Sequence, residues 1–230
     1  MNASRVANAS TAAGLCASAG LLGVPLQPAQ AARLLRLLDE LEQWNRAYNL
    51  TRIATRAAMI THHLLDSLAA SGDLAGTRIA DLGTGAGFPG LPLALVHPER
   101  EFTLIDATAK KIRFVAHAAR TLGLHNVHPL HARAESLRPE PPFDTIVARA
   151  VASLAELAVL AAPLSGPGTL LLAYKGVRPD AEIGALPAGW TLVGVRALRI
   201  PGLEAERCLV TLRAGAAAWA GAARGARPEG

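Results

Sequence analysis

Aromatic residues are scarce in this chain, at 4% of the sequence. That scarcity argues against a sheet surface whose rings stack on successive RNA bases. Any contact with nucleic acid then falls to arginine and lysine. Cysteine is equally thin: Cys16 and Cys208 stand near opposite ends, with no CxxC pair. Neither a disulfide scaffold nor a metal site is expected. Hydrophobic residues make up 51% of the chain, yet no stretch of about 18 is free of charges or turn formers, so no bilayer span is read. The first 25 residues place only Arg5 ahead of a weak Ala- and Ser-rich run, a poor imitation of a signal peptide. The expectation is a monomeric, cytoplasmic protein without membrane segment or metal.

What is present is room for a core and an excess of positive charge. A length of 230 residues suits one α/β domain with extensions. A net charge of +5 favours a polyanionic partner. From Pro28 to Tyr48, Leu34, Leu37, Leu38, Leu41, Trp44 and Tyr48 recur at three and four, which predicts an amphipathic helix. A second helix is predicted over Arg56–Ala70. From Thr77 short apolar strands alternate with helical segments, the pattern of a parallel sheet with crossover helices. Strands are predicted at Arg78–Leu82, Phe102–Ile105, Val127–His131, Thr145–Ala148 and Thr169–Tyr174, with a helix at Ala109–Leu122. Trp190–Ile200 and Arg207–Leu212 are separated only by a turn around Pro201-Gly202, so an antiparallel pair closes the sheet. The division read is a disordered or loosely helical start (1–26), a helical cap (27–72), a Rossmann-like α/β domain with a mostly parallel seven-stranded sheet (73–213) and a disordered tail (214–230).

The sharpest local signal is the run from Asp81 to Gly90, DLGTGAGFPG, after a predicted strand and before a predicted helix. Glycines there let the backbone turn tightly and approach a ligand. Gly85, Gly87 and Gly90 also satisfy GxGxxG, so a nicotinamide dinucleotide has to be weighed. Asp81 discriminates. Its carboxylate would repel a pyrophosphate by several kcal/mol at about 4 Å in an effective dielectric near 20, whereas S-adenosylmethionine carries a sulfonium and an ammonium and would be attracted. Asp106 ends the next strand, where a carboxylate can accept from both ribose hydroxyls. Ala134 and Glu135 follow the third strand and can present a backbone N–H and a carboxylate near an adenine. Equally, Glu135 can simply sit well on a helix N-terminus.

The fourth strand ends Ala148-Arg149-Ala150. An Asn or Asp followed by Pro-Pro-Tyr, the pattern that holds an exocyclic amine, is missing there, which favours an acceptor nitrogen offering only a lone pair. Arg149 and Lys175, at the ends of the fourth and fifth strands, are the positioning candidates. They are expected to be exposed, so that removing them changes stability little. Arg133, Lys175 and Arg207 are the candidates for RNA binding. Lys110, Lys111 and Arg113 read as solvated or phosphate-facing charge. His125, His128 and His131 alternate faces of a strand and are not expected to bind metal.

Trp44-Asn45-x-x-Tyr48-Asn49-Leu50-Thr51, His63-Leu64-Leu65-Asp66-Ser67-Leu68, Asp81 through Pro92 and Ala148-Arg149-Ala150 occur in this order. Over about residues 27–213 the chain resembles the RsmG (GidB) family, which methylates N7 of a guanine in the 530 loop of bacterial 16S rRNA. The resemblance implies that Gly83 and Phe88 contact S-adenosylmethionine from the first loop. It further implies that Asp106, Ala107 and Thr108 hold the ribose, that Ala134 and Glu135 approach the adenine, and that Arg149 reaches the donor's methionine end or the acceptor. Gly85 and Asp81 belong to the same donor site, and 16S rRNA or the small ribosomal subunit is the implied partner. Guanine N7 has no proton to lose, so a base at His62, His63 or Asp66 is not needed; His63 and Asp66 read instead as ties between cap and core. A methyltransferase for a small molecule or protein, a nicotinamide oxidoreductase and a non-catalytic RNA-binding assembly factor are the alternatives.

Overall fold

The computed structural model describes residues 8–149, 152–216 and 218. Its helical layer begins earlier than the sequence suggests. A 3-10 turn at Asn8–Ser10 leads into α1 (Ala12–Gly20), where the Thr11 hydroxyl accepts from the Gly14 N–H at 3.1 Å. Leu15 and Ala19 of α1 are fully buried. The start expected to be frayed or loosely helical therefore packs as part of the core over residues 12–20. Small residues hid it, because an Ala- and Ser-rich helix carries little apolar contrast between its faces.

The second helix, α2 (Pro28–Tyr48), follows the sequence pattern. Proline suits its first turn, and the Gln30 side chain accepts from the Gln27 N–H at 2.9 Å. Asn49 ends it in the left-handed conformation at φ 48°. Leu34, Leu37, Leu38 and Leu41 form its buried stripe. Arg33 clamps it to the body, its Nε donating to the Leu122 carbonyl at 3.0 Å. Next comes α3, in three continuous pieces: Arg56–Met59, a π-helical stretch Ile60–Leu65, and Asp66–Leu68. The π geometry was not legible in the sequence.

Seven strands follow: β1 (Arg78–Leu82), β2 (Glu101–Asp106), β3 (Val127–His131), β4 (Phe143–Arg149), β5 (Ser165–Lys175), β6 (Trp190–Ala197) and β7 (Cys208–Ala214). Their order in the sheet is β3-β2-β1-β4-β5-β7-β6. The first five are parallel, and β7 is antiparallel to both β5 and β6. The α4 (Gly90–Val96), α5 (Ala109–Leu122), α6 (Leu154–Ala161) and α7 (Asp180–Gly184) helices complete the α-helices among the described residues, with 3-10 turns at Ser71–Asp73, Ala134–Ser136 and Ala162–Leu164. Strand alternation builds two cores. Ile79, Val147, Leu172 and Leu209 face the layer of α1 to α5, while Ala80, Ile146, Leu171 and Val210 face α6.

Two consequences position the site. The chain leaves β1 toward β2 and later returns to β4 on the other side of β1, so a crevice opens at the carboxyl ends of these strands. Because β7 runs antiparallel, its start lies at that same edge, with Cys208 paired to Lys175. Residues 1–7, 150, 151, 217 and 219–230 lie outside the described residues, and with them Ala150 and most of the tail expected to be disordered. Ala214 closes β7.

The burial of α2 sets a test. Leu38→Ala should cost about 2–5 kcal/mol in urea unfolding, whereas Arg36→Ala, at 60% side-chain exposure, should cost less than about 1 kcal/mol. Equal effects would mean that the helix is not docked through its leucine stripe.

Candidate active site

The loop after β1 is held from below. Asp81 is completely buried, and its Oδ2 accepts from the Thr84 hydroxyl at 2.6 Å and from the Gly90 N–H at 2.7 Å. Burial raises its pKa to about 6, against the lowering effect of these two bonds. Its Oδ1 has no hydrogen-bond partner among the described residues. Asp81, expected beside the loop as an acid that attracts a cationic donor, sits under the loop and staples it through Thr84 and Gly90.

The glycines divide by function. A Cβ on Gly90 would lie 2.7 Å from both Asp81 Oδ2 and Leu104 Cγ, and one on Gly87 would lie 2.3 Å from Leu91 Cδ1. Both are packing requirements. Gly85 differs: its φ is +61°, and nothing stands within 4 Å of a Cβ placed there. It borders open space at the crevice, where a ligand can meet bare backbone. Gly83, at φ 69°, makes the turn out of β1.

The loop amides decide between the two cofactor classes. Gly83 and Thr84 N–H donate to the Ile105 carbonyl, Gly87 and Phe88 N–H to the Thr84 carbonyl, Gly85 N–H to Asp106 Oδ2 and Gly90 N–H to Asp81. A pyrophosphate needs amides that are free to point at it. These six are spent inside the protein, beside two carboxylates. That arrangement fits a cationic donor without phosphate, and it fits S-adenosylmethionine better than a dinucleotide.

Asp106 stands at the end of β2. It accepts from the Gly85 N–H at 3.0 Å, the Thr108 N–H at 2.8 Å and Lys111 Nζ at 3.2 Å. Lys111, read as solvated charge, is thus partly committed to this carboxylate. Ala107 is exposed, Thr108 half-buried, Ala134 buried in a 3-10 turn and Glu135 exposed beside it. Gly83, Gly85, Asp106, Ala107, Thr108, Ala134 and Glu135 therefore share one rim, at the ends of β1, β2 and β3.

The second half of the site lies at the ends of β4, β5 and β7. A cavity of about 410 Å³ is lined there by His62, Asp66, Arg149, Tyr174, Lys175 and Arg207, among others. Arg149, whose side chain is 15% exposed, donates through Nη1 to the His62 carbonyl at 2.6 Å and to Asp66 Oδ2 at 2.8 Å. Lys175, 14% exposed, donates to the Ala152 carbonyl at 2.9 Å and to Glu182 Oε2 at 2.8 Å. The expectation of two exposed, stability-neutral cations is thus corrected. Each is an ordered, mostly buried partner of an acid, and an ion pair of that kind is costly to break from one side. Arg207 approaches Asp66 Oδ1 at 3.7 Å. Arg133 does not join this group; it is exposed after β3, with β2, β1 and β4 between it and β5.

Phe88 and His63 stand between the two halves. Phe88 is 4% exposed; its ring stacks on His63 at 4.5 Å and 18°, and the Arg149 guanidinium lies 5.8 Å from its centroid. His63 Nε2 meets the Thr51 hydroxyl at 3.0 Å, and Asn45 binds the backbone of Thr51 through both ends of its amide. The resembling motifs around Asn45, Thr51 and His63 are therefore one connected network. Sequence reasoning missed Asp66 as the partner of both Arg149 and Arg207. Its one signal was an acid inside the apolar run from His63 to Leu68.

Among the described residues no group of three or more His, Cys, Asp or Glu gathers as a metal site. His128 pairs with Glu101 and His131 with the Ala107 carbonyl.

Burial, together with the charge of Arg149 and His62, lowers the pKa of His63 from 6.5 to about 3. Below pH 6.5 the unfolded chain takes up a proton that the folded chain refuses, so stability present above pH 6.5 is lost as pH falls toward 3. Between these limits the wild type should lose about 1.4 kcal/mol per pH unit more steeply than His63→Gln. Parallel stability profiles for the two proteins would contradict a buried neutral imidazole.

Comparison with known proteins places this geometry. A family model for rRNA small subunit methyltransferase G (GidB) matches residues 30–210. Ribosomal RNA small subunit methyltransferase G of Methylococcus capsulatus is 53% identical over 184 residues, covering 80% of this chain and 89% of that protein. The protein of the same name from Cronobacter sakazakii is 42% identical over 192 residues, covering 84% and 93%. A SAM-dependent methyltransferase of Aquifex aeolicus matches in structure with a TM-score of 0.51 at 18% identity, over 69% of this chain and 94% of that one. That likeness concerns the fold alone. With the family model spanning most of the sequence, and relatives about half identical along it, the chain belongs to the rRNA small subunit methyltransferase G (GidB) family.

Proposed function

We propose that this protein transfers the methyl group of S-adenosylmethionine to N7 of a guanine in the 530 loop of 16S rRNA, acting in the cytoplasm on rRNA or on the small ribosomal subunit. The observation that carries this reading is the pairing of two unlike half-sites at one sheet edge. One is a glycine rim over buried Asp81 and Asp106; the other is a cavity that presents Arg149, Lys175 and Arg207. A cationic cofactor suits the first and a polyanionic substrate the second. Both family membership and the names of the curated relatives, ribosomal RNA small subunit methyltransferase G, support rRNA as the acceptor. No helix among the described residues is long and apolar enough to cross a membrane.

Bound at the glycine rim, S-adenosylmethionine supplies an electrophilic methyl group on a sulfonium sulfur. In this reading Gly83 and Gly85 give the backbone room for it, and Asp106 to Thr108 take the ribose. Ala134 and Glu135 take the adenine side, and Phe88 with Arg149 forms the wall toward the acceptor. Arg207 attracts and orients the RNA, and Lys175, held by Ala152 and Glu182, adds its charge to the cavity from a fixed position.

Guanine N7 attacks with a lone pair in the plane of the ring and loses no proton, so the work of the chain is positioning. The groups that could act as bases fit that reading. His63 is held neutral with a pKa of about 3 and packed on Phe88, and Asp66 accepts from Arg149. The helical cap of residues 27–72 contributes to the site, because His62, His63 and Asp66 come from it.

Two measurements test the reading. Gly85→Val places a branched side chain in the open space at φ +61°, and calorimetry with S-adenosylmethionine should show binding lost in a protein that still folds. Near-normal affinity would remove the glycine rim from the donor site. Mass spectrometry of 16S rRNA from a strain lacking the protein should show the loss of a single 7-methylguanosine. An unchanged methylation pattern would reject the proposed acceptor.

A further inference from the structure

Both purines carry a lone pair at N7, so a guanine-N7 methyltransferase has to find its selectivity elsewhere on the base. N7 itself must face the methyl group, and O6 lies beside it. O6, an acceptor where adenine carries an amine, is one handle for discrimination, and the opposite edge of the base is the other. There guanine offers N1–H and the N2 amine as donors, while adenine offers an acceptor at N1 and no amine at C2. A carboxylate set against that edge accepts from guanine and repels adenine. Selectivity built on a hydrogen bond is strong, because the wrong base leaves a buried polar group unpaired.

Among the described residues lining the cavity at the ends of β4, β5 and β7, Asp66 is the one acid. Its neighbours there are already committed. The Tyr174 hydroxyl donates to the Ser67 carbonyl at 2.7 Å, and Lys175 is held by Ala152 and Glu182. Asp66 is 6% exposed and half used: Oδ2 accepts from Arg149, but Oδ1 has no hydrogen-bond partner among the described residues. A buried carboxylate oxygen without a donor is uncommon and calls for a cause. The nearest cation is Arg207, whose Nε stands 3.7 Å away, close enough for attraction and too far for a hydrogen bond.

We propose that Asp66 reads the target base: Oδ1 accepts a hydrogen bond from the N2 amine of the guanine being methylated, with Arg207 moving aside as the base enters. This rests on the guanine-N7 reading above. The amine is the group that fits, because it projects beyond the ring and can reach a recessed oxygen. The bond also favours the reaction itself. Methylation at N7 makes the base cationic and its N–H groups stronger donors, so the contact with a carboxylate tightens as the methyl is transferred.

The test compares RNA carrying guanosine at the target position with the same RNA carrying inosine, which keeps N7, O6 and N1–H and lacks only the amine. The wild type should show kcat/KM at least about tenfold lower on the inosine RNA, as expected for one charge-assisted hydrogen bond. In Asp66→Asn the oxygen must stay toward the Arg149 donor, so the amide nitrogen takes the place of Oδ1 and cannot accept. That variant should methylate both RNAs at similar low rates. A merely structural role would depress both substrates and keep the wild-type ratio. Equal wild-type activity on the two RNAs overturns the proposal, even if the variant fails to fold, and so does a preserved ratio in Asp66→Asn. Absence of 7-methylguanosine from the guanosine RNA would instead reject the guanine-N7 reading, and the role of Asp66 with it.

Discussion

The ion pair between Arg149 and Asp66 is the contact on which the two halves of this site depend. It joins the end of β4 to α3, residues 83 apart in the chain, and both side chains are largely withdrawn from water, at 15% and 6% exposure. Attraction at 2.8 Å offsets the loss of hydration only because the geometry is completed by other groups. The His62 carbonyl takes a second bond from the guanidinium, and the Phe88 ring lies under it with His63 stacked on that ring. The π-helical stretch Ile60–Leu65 lies directly before Asp66 and includes His62, and such stretches are frequent at functional sites. The leucine stripe of α2 and the Tyr174 bond to the Ser67 carbonyl dock the cap, and the ion pair fixes α3 against the end of β4 at the site itself.

Charge along that edge is graded. Asp81 and Asp106 lie at the ends of β1 and β2, Arg149 and Lys175 at the ends of β4 and β5, and Arg207 just before β7. The grading matches a cationic donor on one side and a phosphate backbone on the other. The glycine loop adds a second layer of selection, because its amides are turned inward and used.

The fold was legible where the physics is periodic. Leu34 to Leu41 declared α2, the alternating strands declared the parallel sheet, and the short turn at Pro201-Gly202 declared the antiparallel finish. The loop after β1 was legible because positive φ at Gly83 and Gly85 leaves a glycine signature. What stayed hidden depends on which side chains meet in the folded chain, at short and long separations alike. Nothing local marks Lys175 as the partner of Glu182, Arg149 as the partner of Asp66, or Asp81 as a staple with no exposed surface. The helix α1 stayed hidden for another reason: alanine and serine carry too little contrast to reveal a buried face.

The central claim is that Arg149 and Asp66 act as one unit that fixes α3 against the end of β4. A double-mutant cycle measures this directly, through urea unfolding of the wild type, Arg149→Ala, Asp66→Ala and the double variant. Each single change should cost about 3–5 kcal/mol, because it strands a buried charge. The double variant should cost less than the sum of the singles by about 2 kcal/mol or more. Single effects that add to within about 0.5 kcal/mol would contradict the account, since they would mean that the two charges are stabilised independently.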